Sequence, residues 1–559
     1  MNPSTMPLTI DPTAPAFALS GSLPGLGHGV MLASVACAIA LCWFLRSPGA
    51  RTKLPPRRPS RVLPLPRASA SRGKALPPRA IPQLLVVVIV LAGAGLSCAC
   101  DGVAVSVPAA EHSKAPGLIW TRVVSGPSAL PEACRQQRAE SFPQIVQHPL
   151  EPQRLSVVYF QDGNLSAVGA ASTDGGHSWW RAPISDASAC AGGPDRRDRL
   201  FNPLIAASAD GWVYFGASHG RVSAHASVDA AGAWNRGVEP GTLPPEDSAE
   251  NLNLLEDPQQ PGRVQALWTQ FDYPAPEPFP LFTSSALRTS ASSDHGRTFG
   301  PDRQAARAPL GNLIINGRLA RASDGAMLAC YDSVPALMLI NSFTLRRTAF
   351  SVFCTRSNDG ERWTTPVPAG PSVFLPLPDP EGVETAGAES GGIAFSAKFD
   401  LATGPDGMAA LVHADLQDGV GQLKLALSGD GGRSWGPSAV VIERDAPLFM
   451  PAVAIDAQGG IGLFWYDWTR DRAGDEPLST DAWFAWSAYL GASWTVRHLA
   501  GPFDLRAAYD ATLGYDGGAL GAYQDLVAMS EGFGAVFTVG PPLATDGGTD
   551  VLFARLLAE

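Results

Sequence analysis

The stretch "STDGGHSWW", residues 172–180, has a close copy later in the chain, "SGDGGRSW", residues 428–435. Both copies place a serine, an aspartate, a glycine and a tryptophan at the same spacing. The shared residues are Ser172, Asp174, Gly176 and Trp179 in the first copy and Ser428, Asp430, Gly432 and Trp435 in the second. A phrase that returns at fixed internal spacing in a chain of 559 residues indicates a repeated structural unit.

Four further copies of this phrase, which we call the box, are altered to different degrees. "SSDHGRTF" keeps Ser292, Asp294 and Gly296 and ends in Phe299. "RSNDGERW" keeps Gly360 and Trp363 but has Asn358 where the aspartate is expected, and "SVDAAGAW" and "SAYLGASW" are more worn. The six copies begin at residues 172, 227, 292, 356, 428 and 487, which is a pitch of 55–72 residues.

The sequence around each box is also repeated. "FDLATGPDGMAALVHADL…GQLKLALSGDGGRSWGPSAVVIE" shows the pattern of strand, tight turn, strand, link, strand, box and strand. Asp-Gly and Gly-Gly pairs in the first turn provide the positive φ angles that a tight hairpin needs. With 58 Gly, 50 Pro and only 17% charged residues, the chain is predicted to be all-β. Four-stranded antiparallel units at this pitch are typical of a β-propeller.

The number of units predicts seven blades. Six units carry a box, and the last, about residues 515–559, contains three strands and no box. The N-terminal stretch "IWTRVVSG", residues 119–126, is predicted to supply the missing fourth strand and so to close the ring. Six blades is the alternative.

The box resembles the Asp-box, or BNR, repeat of the sialidase superfamily. The last units, which include "FMPAVAIDAQGGIGLFWYDWTRD", are similar to sialidase-like bacterial exported proteins of that superfamily, and the resemblance covers about residues 115–559. Sialidases have six blades and use an arginine cluster, a Tyr–Glu nucleophile pair and an aspartate acid/base. The resemblance implies that the first arginine precedes Ile-Pro on the first inner strand, but "SFPQIVQHP" has Ser141 there. We therefore expect little hydrolysis of a simple sialoside.

The box aspartates are predicted to be structural. Each box lies between strands three and four of its blade, so all boxes occupy one rim and are far from one another. One active site cannot use six separated aspartates, whereas a local role in capping turn amides suits every copy. The resemblance also implies a structural box that is remote from the catalytic centre.

The opposite face carries the long loops and is therefore the predicted binding face. The candidate ligand-binding residues there are Arg470, Asp467, Tyr466, Arg506, Tyr523 and Gln524. Other polar residues assigned to this face are Arg196, Arg199, Arg346, Arg347 and Tyr509. For each residue taken singly, a solvated loop charge or a strand-end ion pair is the alternative. The sequence contains no HExxH motif, metal-binding cysteine pairs or phosphate loop, so we expect no metal and no cofactor.

Residues 1–100 are predicted to be a membrane or signal region, and residues 101–559 the propeller domain. Uncharged apolar runs at 29–45 and 81–97 flank a linker rich in Pro and Arg. The second run ends at Cys98 in "GLSC", which resembles a lipoprotein cleavage site, with Gly95 where Leu is usual. A lipid on Cys98, a cleaved signal peptide and a membrane anchor remain alternatives. All three place the domain outside the cytoplasm, in the cell envelope or secreted.

Charge and cysteines agree with export. Residues 1–100 contain 10 Lys and Arg and one acidic residue, whereas the rest of the chain contains 31 basic and 51 acidic residues. Because such an acidic domain repels phosphate, nucleic acid is not an expected partner. The four cysteines of the domain predict two disulfides, Cys330–Cys354 on neighbouring strands and Cys134–Cys190, with four buried thiols as the alternative.

The function that these patterns favour is an exported, sialidase-like β-propeller that binds a glycan or another polar ligand on its long-loop face. One alternative is an active exo-glycosidase whose catalytic residues have been relocated. A second alternative is a non-catalytic scaffold for protein interactions.

Overall fold

The fold is known from a computed structural model. It describes residues 116–558 except 129, 136–138, 194–198, 219, 231, 273–283, 337–346, 378–379, 381–393, 397–398, 475–476, 489, 513–519 and 545–547. The apolar runs and the linker of residues 1–100 lie outside these ranges. Within them, no helix combines the length and apolar character needed to cross a bilayer.

The described strands form seven antiparallel sheets, the blades. The first strand is β1 (Pro116–Val123), blade 1 contains β2 (Ser141–His148), β3 (Glu151–Gln161), β4 (Ser166–Ser172) and β5 (Trp180–Pro183), and blade 2 contains β6 (Phe201–Ala207), β7 (Val213–Ser218) and β8 (Val222–Ser227). Blade 3 contains β9 (Ser248–Glu256), β10 (Val264–Asp272), β11 (Ser284–Ser292) and β12 (Arg303–Arg307), and blade 4 contains β13 (Asn312–Arg321), β14 (Met327–Pro335), β15 (Thr348–Ser357), β16 (Val367–Leu377) and β17 (Ala394–Ser396). Blade 5 contains β18 (Asp400–Thr403), β19 (Ala409–Gln417), β20 (Val420–Ser428) and β21 (Ala439–Arg444), and blade 6 contains β22 (Leu448–Ile455), β23 (Ile461–Asp467), β24 (Ser479–Ser487) and β25 (Thr495–Asp504), followed by the helix α1 (Leu505–Thr512). Blade 7 contains β26 (Asp525–Met529), β27 (Gly532–Val539) and β28 (Asp550–Ala558).

The sheets form a closed seven-bladed propeller. The first strand of each blade contacts the first strand of the next, in the ring β2, β6, β9, β13, β18, β22, β26 and back to β2. Blade 7 has the order β1-β28-β27-β26, with Pro116 opposite Ala558 and Val123 opposite Leu552. The N-terminal strand therefore closes the ring as the sequence predicts, and the structure has seven blades, not six.

Two blades depart from the four-stranded plan. Blade 2 has three strands, and the isolated bridges Ala224–Val238 and Ser227–Trp234 stand where its fourth strand would run. Blade 4 has β17 as a short fifth strand, paired with the last three residues of β16.

The core lies between the blades. Every residue of β23, "IGLFWYD", is buried. Its alternate side chains face opposite neighbours: Trp465 packs with Val412 of blade 5, whereas Phe464 lies 5.4 Å from Phe537 of blade 7. A strand covered on both faces is apolar at successive positions, which explains this run. Burial of each such side chain contributes about 1.5–3 kcal/mol.

The boxes are local hydrogen-bonded turns. In the second copy quoted above, Ser428 Oγ donates to Asp430 Oδ1 (2.8 Å) and accepts from Gly432 N (2.8 Å). Asp430 also accepts from Ser434 N (2.9 Å) and Ser434 Oγ (2.5 Å). Burial alone would raise the pKa of Asp430, but the hydrogen bonds from Ser434 and Ser428 outweigh it and hold the pKa at about 2. The boxes of blades 1 and 3 repeat these bonds through Asp174 and Asp294.

The box of blade 4 corrects one assignment. Asn358 does not take the aspartate position, because Ser357 Oγ donates to Asp359 Oδ1 (3.1 Å) and accepts from Gly360 N (2.8 Å). This box begins at Ser357 and is one residue shorter between the serine and the glycine, so that the spacing alone misplaced the aspartate.

Both predicted disulfides are present. Cys330 and Cys354 are direct partners across β14 and β15, with their Cα atoms 4.1 Å apart. Cys134 and Cys190 lie in two short 3-10 turns, with their Cα atoms 5.9 Å apart. The second bridge fastens the segment before blade 1 to the link between blades 1 and 2.

Candidate functional site

Side chains from opposite sides of the ring meet in the central channel. The Arg318 guanidinium of β13 in blade 4 lies 4.5 Å from the ring centroid of Tyr523, which precedes β26 of blade 7. The Tyr523 hydroxyl lies 3.2 Å from the Asn251 amide of blade 3. Blades 3 and 4 are not ring neighbours of blade 7, so these contacts span the channel. The first strand of each blade begins on the long-loop face. Tyr523, which precedes β26, therefore lies towards the opening of the channel on that face.

Two carboxylates complete this group. Asp400 and Asp525 are the first residues of β18 and β26, and Arg318 Nη2 lies 3.8 Å from Asp400 Oδ1. We call Asn251, Arg318, Asp400, Tyr523 and Asp525 the channel cluster. It brings one cation, two carboxyls, a phenol and an amide together from four blades.

Each carboxylate also links its blade to the next. Asp400 Oδ2 accepts from Val453 N of blade 6 (2.9 Å), and Asp525 Oδ2 accepts from Ile145 N of blade 1 (2.8 Å). Asn253 Oδ1 accepts from Leu319 N of blade 4 in the same way (3.1 Å). The first strand of a blade is an edge strand whose outer N–H groups need such partners.

An uncharged amide performs this linking role at Asn253. The negative charges at Asp400 and Asp525 are therefore not required for the link itself. They are available to balance Arg318 and to accept hydrogen bonds from a ligand.

The site environment favours protonation of these carboxyls. Burial and, to a smaller extent, the neighbouring Asp400 together raise the pKa of Asp525 to about 7, against the opposing effects of the Ile145 N–H and Arg318. Burial also raises the pKa of Asp400, and Arg318 opposes that rise. Two carboxyls close to each other in a poorly solvated channel resist carrying two charges at once.

Arg318 retains unused donors. Its side chain is 12% exposed, and apart from the 3.8 Å ion pair its guanidinium makes no hydrogen bond with the described residues. A guanidinium presents five N–H donors in a plane and binds carboxylate or hydroxyl oxygens through them. Together with two carboxyl groups, it offers donors and acceptors within one small region. Within the described ranges, no group of His, Cys, Asp and Glu side chains is arranged to hold a metal ion.

The structure separates the six predicted ligand-binding residues. Tyr523 belongs to the channel cluster, whereas Tyr466 is fully buried and donates to the Thr538 carbonyl (2.7 Å). Gln524 is also buried, donating to the Leu520 carbonyl (2.9 Å) and accepting from Thr538 N (2.8 Å). Tyr466 therefore joins blade 6 to blade 7, and Gln524 is held within the blade 7 segment, so that both side chains serve packing rather than the binding face predicted for them.

Arg470 and Asp467 lie on the long-loop end of blade 6 but away from the channel. Asp467 is fully buried and accepts from Trp483 Nε1 (2.9 Å) and Trp465 Nε1 (3.1 Å). Arg470 pairs with Asp481 (3.4 Å) on the third strand of the blade. Arg470 therefore does not reach the channel mouth as a substitute for the missing arginine.

The remaining candidates that the structure describes have partners close to their own strands or loops. Arg506 lies in α1, where its backbone N–H donates to Asp504 Oδ1 (3.0 Å). Arg199 donates to the Gly163 carbonyl (2.7 Å), and Arg347 pairs with Asp415 (2.6 Å). Arg196, Arg346 and the side chain of Tyr509 lie outside the described part of the chain. Ser141, at the expected arginine position, is buried and donates to Asn164 Oδ1 (2.7 Å).

Sequence reasoning missed Arg318, Asp400 and Asp525. The signal was present in "INGRL", "KFDLA" and "YQDLV", where a charged residue lies next to an apolar one in the first strand of a blade. Only the closure of the ring brings these three positions together.

Comparison with known proteins finds similarity in structure but not in sequence. No family model matches the chain, and no curated protein matches it. An ulvan lyase of polysaccharide lyase family PL25 is 12% identical with a TM-score of 0.43, covering 76% of this chain and 95% of its own. The alpha-L-arabinanase of Penicillium chrysogenum is 13% identical with a TM-score of 0.37, covering 78% and 98%. The NanB sialidase of Streptococcus pneumoniae is 8% identical with a TM-score of 0.36, covering 72% and 83%.

Proposed function

We propose that this protein is an exported β-propeller that binds a glycan or another polar ligand on its long-loop face, with the channel cluster as the centre of the site. The observation that carries the proposal is the Arg318 guanidinium, which lies over Tyr523 across the channel and, apart from its ion pair with Asp400, makes no hydrogen bond with the described residues. Side-chain donors and acceptors held close together suit a ligand rich in hydroxyl groups, since each hydroxyl both donates and accepts.

The charges support the same proposal. Asn253 makes the blade link without a charge, so the acidic groups at Asp400 and Asp525 exceed what the fold needs there. A carboxyl in such a position accepts from a sugar hydroxyl, while Arg318 donates to a neighbouring oxygen. The two disulfides support export, because such bonds persist in oxidising compartments.

The test is affinity electrophoresis of the full-length protein in native gels that contain dextran, xylan, arabinan or polygalacturonate. We expect retention by at least one polymer, and we expect Arg318→Ala to weaken it about tenfold or more, the usual cost of a lost charged contact. Arg303→Ala, an exposed arginine of β12, is the matched control. Retention that is identical in Arg318→Ala and wild type would contradict the proposal.

A second candidate function, glycoside hydrolysis, is favoured by one observation. Asp525, with a pKa near 7 beside Asp400, has the protonation behaviour of a general acid. Against a sialidase reaction, the buried Ser141 offers no cation for a substrate carboxylate. We expect no turnover of a fluorogenic sialoside by the full-length protein. Turnover that is lost in Asp525→Asn would replace the binding function with the enzyme.

A further inference from the structure

A second group of polar and aromatic side chains lies on the face of blade 6 that is turned towards blade 5. Trp465 pairs with Trp483, and Asp467 pairs with Asp481, across β23 and β24. Residues two apart on a strand share a face, so all four side chains project in one direction. His498 of β25 is the register partner of Trp483 and extends the group outwards.

Two guanidinium groups approach Trp483. The Arg470 Cζ atom lies 5.4 Å from the centroid of its ring, and that of Arg444, at the end of blade 5, lies 5.7 Å from it. The Arg470 side chain is 47% exposed, and the indole is half-buried. Arginine within about 6 Å of an indole is held by the charge distribution of the ring.

The acids below this surface already have partners. Arg444 Nε lies 3.5 Å from Asp467 Oδ2, and two indole N–H groups also donate to that carboxylate. Asp481, fully buried, has His498 Nε2 2.6 Å from its Oδ1. The link between blades 5 and 6 is therefore made without Arg470, whose contact with Asp481 is longer, at 3.4 Å.

Asp481 also fixes the orientation of His498. Because Nε2 of the imidazole is engaged with Asp481, Nδ1 is the free ring nitrogen, and it makes no hydrogen bond with the described residues. The ring is 30% exposed and lies edge-on to Trp483 at 4.9 Å. The surface thus presents an aromatic ring, a partly exposed guanidinium and an oriented imidazole.

We propose that Arg444, Arg470, Asp481, Trp483 and His498, the Trp483 cluster, form a second binding site, which takes an anionic sugar unit such as a uronate or a sulfated sugar. The indole holds the Arg470 guanidinium in place through its ring face. Arg470 is placed beside it to bind a carboxylate or sulfate through two parallel N–H groups. His498 Nδ1 supplies a further hydrogen bond.

This site is separate from the channel cluster. Asp467, Asp481 and Trp483 belong to the second and third strands of blade 6, whereas the channel cluster is built from first strands and Tyr523. The proposal goes beyond the function proposed above and does not depend on it.

The test is affinity electrophoresis of the full-length protein in gels that contain polygalacturonate, dextran sulfate or uncharged dextran. The chain carries a net charge of −11, so that non-specific attraction to a polyanion is not expected. Arg470→Ala is compared with Arg297→Ala, which removes an arginine from above another indole, that of Trp212, on the box rim (5.1 Å). Arg318→Ala reports on the channel cluster separately, and thermal melting checks that every variant is folded.

We expect wild type to be retained more strongly by polygalacturonate or dextran sulfate than by dextran. Arg470→Ala should raise the apparent Kd about tenfold or more, and Arg297→Ala should leave it unchanged. Equal mobility of wild type in all three polymers would overturn the proposal. The proposal would also be wrong if Arg297→Ala reduced the affinity for the polyanion as much as Arg470→Ala. It would be wrong too if Arg318→Ala reduced that affinity and Arg470→Ala did not, because polyanion binding would then belong to the channel cluster alone.

Discussion

Residues at one register position serve both the fold and the site. Asn253, Asp400 and Asp525 each accept a backbone N–H from the next blade, yet only two of them are acidic. An amide oxygen and a carboxylate oxygen can accept this backbone hydrogen bond with the same geometry. They differ in the free energy of carrying a charge in a poorly solvated channel, which burial makes unfavourable. The acidic residues therefore cost stability that the asparagine does not.

This cost predicts a pH dependence at Asp525. The pKa of Asp525 rises from 3.8 to about 7 on folding. The protonated group therefore contributes fully to the free energy of unfolding below about pH 3.8, and this contribution is lost as the pH rises to about 7. We expect the melting temperature of Asp525→Asn, relative to wild type, to increase by several degrees between about pH 4 and pH 8. Asp445→Asn, at an exposed position, is the control. A difference between Asp525→Asn and wild type that stays constant with pH would contradict the raised pKa.

At the scale of the element, the box joins one blade to the previous one. A Cβ on Gly176 would collide with the Phe553 ring of blade 7, and one on Gly432 would collide with Leu328 of blade 4. Both glycines also have positive φ, 97° and 84°. The carbonyl of Gly431 in the blade 5 box accepts from Arg356 of blade 4, and that of Asp359 in the blade 4 box accepts from Arg263 of blade 3 (3.3 Å).

The packing of its aromatic residue explains why the box sequence is repeated along the chain. The box aromatics each pack against a different hydrophobic cluster between blades; they are Trp179, Trp234, Phe299, Trp363, Trp435 and Trp494. A propeller needs the same contact at successive blade junctions, and a repeated sequence meets this need. The box is thus a packing element on the rim opposite the channel cluster.

Asp430→Ala is expected to weaken this element without affecting a ligand site. It removes the acceptor for Ser434 N and Ser434 Oγ, and a lost turn cap costs about 1 kcal/mol. The melting temperature should fall by a few degrees or less, while retention in the polysaccharide gels stays as in wild type. Asp445→Ala in the same region of the chain is the control. Normal melting combined with lost binding would make the box functional.

At the scale of the whole molecule, the ring is closed by its two ends. Pro116 starts β1 opposite Ala558, so both termini of the described chain leave the propeller at the box rim. The channel cluster and the Trp483 cluster lie towards the long-loop face. Pro116 and Ala558 therefore lie on the rim away from both proposed sites.

Ring closure through β1 gives a prediction for the whole molecule. Removal of residues 1–115 should leave cooperative thermal unfolding intact, because β1 and its register with β28 are kept. Removal of residues 1–124 should abolish it or lower the melting temperature sharply, since β28 becomes an unpaired edge and the ring opens. Equal melting of the two truncations would show that closure through β1 does not stabilise the fold.

The all-β class, the seven blades, their closure by an N-terminal strand and both disulfide pairs were predictable from the sequence, although the closing strand is Pro116–Val123 rather than residues 119–126. Each depends on local information: turn residues, strand alternation, and a phrase whose spacing repeats with the blade. Local spacing was less reliable where a turn changed length, as at Asn358 and Asp359.

Only the tertiary structure decided which polar residues meet. Tyr466 and Asp467 adjoin Arg470 in sequence, yet the strand pleat and the packing of blades bury the first two and leave Arg470 half exposed. Arg318, Asp400 and Asp525 come from blades 4, 5 and 7 and are more than 80 residues apart in sequence. A propeller arranges its first strands around one axis, so residues unrelated by any local pattern share one channel. That alignment is a property of the closed ring, which no short stretch of sequence contains.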